Sequence, residues 1–101
     1  MLEKQIEKRV CDHAKELGYL VYKFTSPQRM AVPDRMFINP HGLVFFIEFK
    51  RSGESPTPAQ AREHERLQAQ GVNVFVIDDV VKGKLVIDLM VHKYANAQLT
   101  A

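Results

Sequence analysis

The chain has 101 residues, 46% hydrophobic and 26% charged, with a net charge of +2 and a pI near 8.8. That length holds one domain around a single core, and the mild basicity permits a polyanionic partner without requiring one. The single cysteine, Cys11, excludes a disulfide framework and a cysteine zinc cluster and fits a reducing, intracellular setting; no apolar run approaches the roughly 20 residues of a membrane span, and the N-terminus does not read as a signal peptide.

Residues 2–17 read as a helix. Leu2, Ile6, Val10, Ala14 and Leu17 recur at three- and four-residue spacing, and Gly18 supplies the stop. Glu3 and Glu7 sit in its first turns, where a carboxylate suits the positive end of the helix dipole without any further role. Residues 19–25 are β-rich and read as the first strand, which carries Lys23. The loop that follows holds Pro27 and Pro33; Pro33 biases Val32 towards an extended form and leaves Asp34 at the mouth of the next strand.

Arg35 to Ile38 is a short second strand, Asn39-Pro40-His41-Gly42 a turn, and residues 43–50 a third strand, Leu-Val-Phe-Phe-Ile-Glu-Phe-Lys. Alternation sends Leu43, Phe45, Ile47 and Phe49 to one face and Val44, Phe46, Glu48 and Lys50 to the other. Both faces are apolar until the end, the pattern of a central strand covered on both sides. Folding the hairpin back brings Asp34 opposite Ile47 or Glu48, so that two carboxylates and a lysine converge.

A polar loop leads to a helix over 58–70, with Ser55 or Thr57 as cap and Pro58 in the first position. It carries Gln60, Arg62, His64, Arg66 and Gln68 and little apolar surface beyond Ala59, Ala61, Leu67 and Ala69; Gly71 ends it. Residues 72–77 form a buried strand, and the right-handed crossover rule makes it parallel to 43–50. Asp78-Asp79 caps a last helix over 80–96 with Val81, Leu85, Leu89 and Met90 inward, although Gly83 weakens that helix. The order is α-β-β-β-α-β-α, an α/β domain over 1–96 with a mixed central sheet flanked by helices; 97–101 is a frayed tail.

Two carboxylates from different strands either share a proton or hold a hard cation, and an oxygen site of this kind suits Mg²⁺ or Mn²⁺. Such a cation orients or deprotonates a water, or steadies charge on a phosphate, and Lys50 shares the face of Glu48. The plainer alternative is a structural Glu48–Lys50 ion pair with Asp34 beside it, for which Asp34→Asn leaves metal affinity unchanged.

Pro33-Asp34, then 13 residues, then Glu48-Phe49-Lys50 resembles the PD-(D/E)XK motif of the restriction-endonuclease-like nucleases. The run from Glu3 to Ile77 is similar to the VRR-NUC branch, the virus-type replication and repair nucleases. The likeness lies in Glu3-Lys4-Gln5-Ile6-Glu7, Tyr22-Lys23-Phe24-Thr25-Ser26-Pro27, Val32-Pro33-Asp34-Arg35, Phe46-Ile47-Glu48-Phe49-Lys50, and Pro58-Ala59-Gln60 before a helix ending in Gln70-Gly71. The resemblance implies a restriction-endonuclease-like core and a DNA endonuclease dependent on Mg²⁺ or Mn²⁺. It implies Asp34, Glu48 and the carbonyl of Phe49 as metal ligands, Lys50 positioning or activating the attacking water, and Gln60 orienting Lys50 or the water. A first-helix carboxylate would add a ligand, Glu7 by its depth in the helix, or Glu3. Standalone relatives act as homodimers on four-way DNA, which implies a Holliday-junction-resolving activity, a role in DNA repair and a phage or mobile-element setting.

Lys23, Arg29, Arg35 and Arg51 are the candidate DNA contacts, each equally at home as solvated surface. The loop before Pro33-Asp34 departs from the glycine- and arginine-rich form common in the family but keeps Arg29. The four histidines show no ligand spacing and carry no assigned role; Cys11 reads as a small core residue. Arg62, Glu63, Glu65 and Arg66 read as a solvated helix face or a dimer contact. A flap- or nick-directed nuclease of the same fold, and a DNA-binding module without catalysis, are the alternatives.

Overall fold

The computed structural model describes residues 1–95. The elements are α1 (Glu3–Glu16), β1 (Leu20–Lys23), β2 (Arg35–Ile38), β3 (Val44–Phe49), α2 (Pro58–Ala69), β4 (Asn73–Ile77) and α3 (Val80–Met90), in the predicted order. The sheet runs β1-β2-β3-β4, antiparallel across the first two pairs and parallel between β3 and β4. The crossover through α2 therefore has the expected consequence. Among the described residues no helix is long and apolar enough to cross a membrane.

β3 is interior and carries the core. Phe45, Ile47 and Phe49, every second residue, are fully buried on the face covered by α1 and α3. There they meet Ile6, Val10 and Ala14 of α1 and Ile87 and Met90 of α3. Phe37 stacks on Phe45 at 5.3 Å, and Tyr19 meets both rings edge-on. Each such side chain withdrawn from water contributes about 1.5–3 kcal/mol. Cys11 lies in the same core, and burial pushes its thiol up to about 11. The opposite face of β3 turns Phe46, Glu48 and Lys50 towards α2, and these are buried as well.

The helix ends follow local chemistry. Thr57 caps α2, accepting from the Gln60 N–H at 3.2 Å, while the Gln60 Oε1 accepts from the Thr57 N–H at 3.0 Å. This is a reciprocal capping box with Pro58 in the first position. Asp79 caps α3 by accepting from the Lys82 N–H.

The last helix departs from expectation in phase and in length. Its inward residues are Val80, Gly83, Ile87 and Met90. Val81, Leu85 and Leu89 are instead 74%, 55% and 62% exposed. The segment is apolar on almost every side, so hydrophobic periodicity admits two phases, and the glycine decides between them. A Cβ on Gly83 would overlap Val10 Cγ2 and come within 3.0 Å of Ile77 Cγ2. The residue that weakens the helix by propensity is the point at which α3 closes on α1 and β4.

α3 stops at Met90 because Asn39, in the β2–β3 turn, satisfies its end. Asn39 Nδ2 donates to the carbonyls of Met90 (2.8 Å) and Lys93 (2.6 Å). Its Oδ1 accepts from the N–H groups of His41 and Leu43. One buried asparagine thus shapes the hairpin and ends the helix. The predicted boundary at 96 and the tail 97–101 lie outside the described residues.

Candidate active site

The site forms where the ends of β2 and β3 meet the first turns of α1 and α2. The β2–β3 register pairs Arg35 with Ile47, which carries Asp34 one step further, across from Glu48. Of the two registers the sequence allowed, this is the one adopted. Asp34 Oδ2 accepts from the Phe49 N–H at 2.8 Å, and its carbonyl accepts from Phe24 N–H at 2.9 Å. The buried Pro33 precedes it. The Asp34 carboxylate is thereby fixed by backbone, with its second oxygen free of that bond.

Glu48 is 2% exposed. Burial, then the charge of Asp34, pushes its carboxyl up from 4.5 to about 8; Lys50 works in the opposite direction. From α2, Gln60 Nε2 donates to Glu48 Oε2 at 3.4 Å. His64 Nε2 stands 3.5 Å from Glu48 Oε1, and neither of these two buried atoms has a hydrogen-bond partner. Burial also holds the His64 imidazole below its usual range. Lys50 is buried, its N–H donating to the Ile77 carbonyl and its Nζ 3.9 Å from Glu54 Oε1. The geometry therefore brings Asp34, Glu48, Lys50 and Gln60 together.

The first-helix carboxylates divide. Glu7 Oε2 accepts from Arg35 Nε at 3.1 Å, and this bond, more than any other cause, raises the guanidinium above its ordinary value. Glu3 has no such partner, and burial followed by the charge of Asp34 raises its carboxyl, with Lys50 opposing. Of the two, Glu3 is the one left without a cationic partner and within reach of the Asp34 and Lys50 charges.

The candidate DNA contacts are equally uneven. Lys23, Arg29, Glu3, Glu7 and Asp34 line one open groove of about 490 Å³ beside the site. Arg35 is turned inward to Glu7. Arg29 Nε donates to both Glu63 oxygens, at 2.9 and 2.8 Å, which ties the 26–34 loop to α2. Arg51 pairs with Glu54 at 2.8 Å on the surface, where such a pair is worth little and is readily exchanged.

Two residues of α2 correct the sequence reading. Glu63, which the sequence reads as part of a solvated face or a dimer contact, is 6% exposed and holds Arg29; His64, to which the sequence assigns no role, is 5% exposed and faces Glu48. A signal for His64 was present. It lies four residues after Gln60, so a Gln60 that faces the site brings His64 to the same helix face.

Among the described residues no trio of His, Cys, Asp and Glu gathers closely enough to enclose a metal ion. Mg²⁺ does not need such a cage, since it commonly uses one or two carboxylates and completes its shell with water and substrate phosphate. Asp34 and Glu48 fit that pattern: a buried carboxyl whose ionisation is disfavoured beside a second acid is the setting a cation relieves.

No family model matches the sequence. It is 47% identical over 76 residues to "Putative nuclease p44" of Acyrthosiphon pisum secondary endosymbiont phage 1, covering 75% of this chain and 82% of that protein. A solved structure described as a VRR_NUC domain superposes with a TM-score of 0.80 at 34% identity, over 91% of this chain and 97% of the other. A second, described as a VRR_NUC domain protein, shares the fold with a TM-score of 0.76 at 19% identity, over 99% and 98% of the two chains. The chain belongs to the VRR-NUC family of nucleases.

Proposed function

We propose that the protein is a metal-dependent DNA endonuclease that resolves four-way junctions as a homodimer. The observation that carries the reading is the buried Glu48 beside the half-buried Asp34, with Lys50 buried on the same side of β3. Asp34, Glu48 and the Phe49 carbonyl would hold Mg²⁺ or Mn²⁺, joined by a carboxylate of α1. Glu3 is favoured over Glu7 for that place, because Glu7 is engaged by Arg35. When bound, the ion supplies positive charge to the phosphoryl oxygens and acidity to a water.

The chain's own residues do the rest. Lys50, on the same face as Glu48, positions the water whose oxygen attacks phosphorus as the bond to the leaving sugar oxygen breaks. Gln60 steadies Glu48, a narrower role than orienting Lys50 or the water. Lys23 and Arg29, along the groove, and Arg51, beyond β3, meet backbone phosphates, which fix register without reading sequence. Arg35 acts through Glu7 and braces the α1 end of the site.

Dimerisation is supported by apolar surface that the chain leaves open. Leu20, Ile38 and Val44, with Tyr22 and Met36, cross the sheet on its α2 side, and Leu20 and Tyr22 are more than half exposed. Val81, Leu85 and Leu89 form a second apolar stripe on α3. A second copy would cover such surface and give two sites related by a two-fold axis, matching a symmetric branched substrate. The named phage relative supports a phage or mobile-element setting.

The test is cleavage of labelled four-way junction, flap, nicked and plain duplex DNA with Mg²⁺, with Mn²⁺ and in EDTA, with Lys50→Ala alongside. Paired symmetric cuts in the junction, lost in EDTA and in the variant, are expected. Preferential cutting of flaps or nicks would remove the junction assignment and keep the nuclease. Binding of DNA without cleavage under every metal condition would refute the catalytic reading.

A further inference from the structure

Glu48 is approached from α2 at both oxygens, and only one of the two approaches is a hydrogen bond. Gln60 makes that bond. Its amide cannot turn freely, because Gln60 Oε1 is committed to the Thr57 N–H in the capping box. The Nε2 is thereby directed at Glu48 Oε2, 3.4 Å away. His64, one helical turn later, places Nε2 at 3.5 Å from Glu48 Oε1. Both of these atoms are buried and unpartnered. An unmade hydrogen bond at such a place costs about 1–3 kcal/mol, so native proteins keep few of them.

We propose that His64 is a positioning residue, closing a two-pronged clamp with Gln60 that holds Glu48 in the orientation needed to bind a divalent cation. The proposal rests on the reading of Glu48 as a cation ligand. Cation binding requires the ionised carboxylate. Ionised Glu48 has one oxygen served by Gln60, and its other needs a donor in a place water does not reach. His64 Nε2–H is in position to become that donor with a small closing movement. The capping box at Thr57 then serves the site as well as the helix. It fixes the first turn of α2, from which both prongs project. The imidazole touches neither the substrate nor the cation in this role and acts only through Glu48.

The experiment compares the whole protein with His64→Gln, which keeps an amide N–H where Nε2 stands, and His64→Leu, which fills similar volume without a donor. Mn²⁺ affinity is measured by calorimetry, and thermal stability is measured in EDTA. His64→Leu is expected to lose Mn²⁺ affinity by about 10- to 100-fold, the usual effect of removing such a supporting partner. Its melting temperature in EDTA should not fall, since it replaces an unsatisfied polar atom. His64→Gln should keep most of the affinity, and it carries the test if His64→Leu does not fold. Wild-type affinity in His64→Leu, or equal loss in both variants, would overturn the proposal alone. A wild-type protein that takes up no Mn²⁺ would overturn the cation reading and this proposal with it.

Discussion

Replacing Glu48 by glutamine should change how the metal-free protein responds to pH. The Glu48 carboxyl is pushed up from 4.5 to about 8, first by burial and then by Asp34, so the folded state retains a proton that the unfolded chain has released. In that window the folded state binds more protons, and stability falls as the pH rises. The contribution is whole below 4.5 and is lost as the pH climbs to about 8. Each pH unit removes up to ~1.4 kcal/mol, so the loss reaches on the order of 3 kcal/mol at neutral pH. For a chain of this size that corresponds to roughly 10–20 °C in melting temperature. Thermal melts in EDTA across the window should show this slope in the wild-type protein and a flatter profile in Glu48→Gln. The variant should be the more stable of the two at the alkaline end. Added Mn²⁺ should restore the wild-type protein there and leave the variant unchanged. Equal slopes for the two proteins in EDTA would refute the assignment of the buried proton to Glu48.

Gly83→Ala should destabilise by about 1–3 kcal/mol, because the added methyl overlaps Val10 in a closed core; urea denaturation measures it. Asn39→Ala should cost about 1–3 kcal/mol for each buried group it leaves unpaired, and hydrogen exchange should show the last turn of α3 and the β2–β3 turn loosening together. Lys50→Ala should reduce single-turnover cleavage by about 10²-fold or more while Mn²⁺ affinity, read by calorimetry, is retained.

The strands and the site's carboxylates were legible because their signals are local. An apolar run broken by Glu48 and Lys50, a proline fixing the approach to Asp34, and a tight turn between them are enough to place two acids on one sheet end. What failed depended on partners distant in sequence. The phase of α3 is set by Val10 and Ile77 pressing on Gly83, and no feature within 80–90 announces that contact. Its end is set by Asn39, 51 residues before Met90. A periodic pattern tells which residues share a helix face, but a helix apolar on every side leaves the choice of face to its neighbours.

α2 shows why polarity alone misleads about burial. Its sequence offers little apolar surface, and Arg62, Glu63, Glu65 and Arg66 read as a solvated face or a dimer contact, yet Glu63 and His64 are its buried side chains. Each is buried by a polar obligation: Glu63 receives Arg29 from the 26–34 loop, and His64 meets Glu48. The inner face of the helix therefore meets the site and its surrounding loop through polar side chains, with Leu67 half-buried beside them. Such contacts cost desolvation and return little unless every member is satisfied. A sequence that spends two buried positions in this way is buying placement more than stability. The same polar contacts set Gln60 and His64 of α2 against Glu48. The 26–34 loop, tied to α2 through Arg29, shares that anchoring beside the groove lined by Lys23 and Asp34.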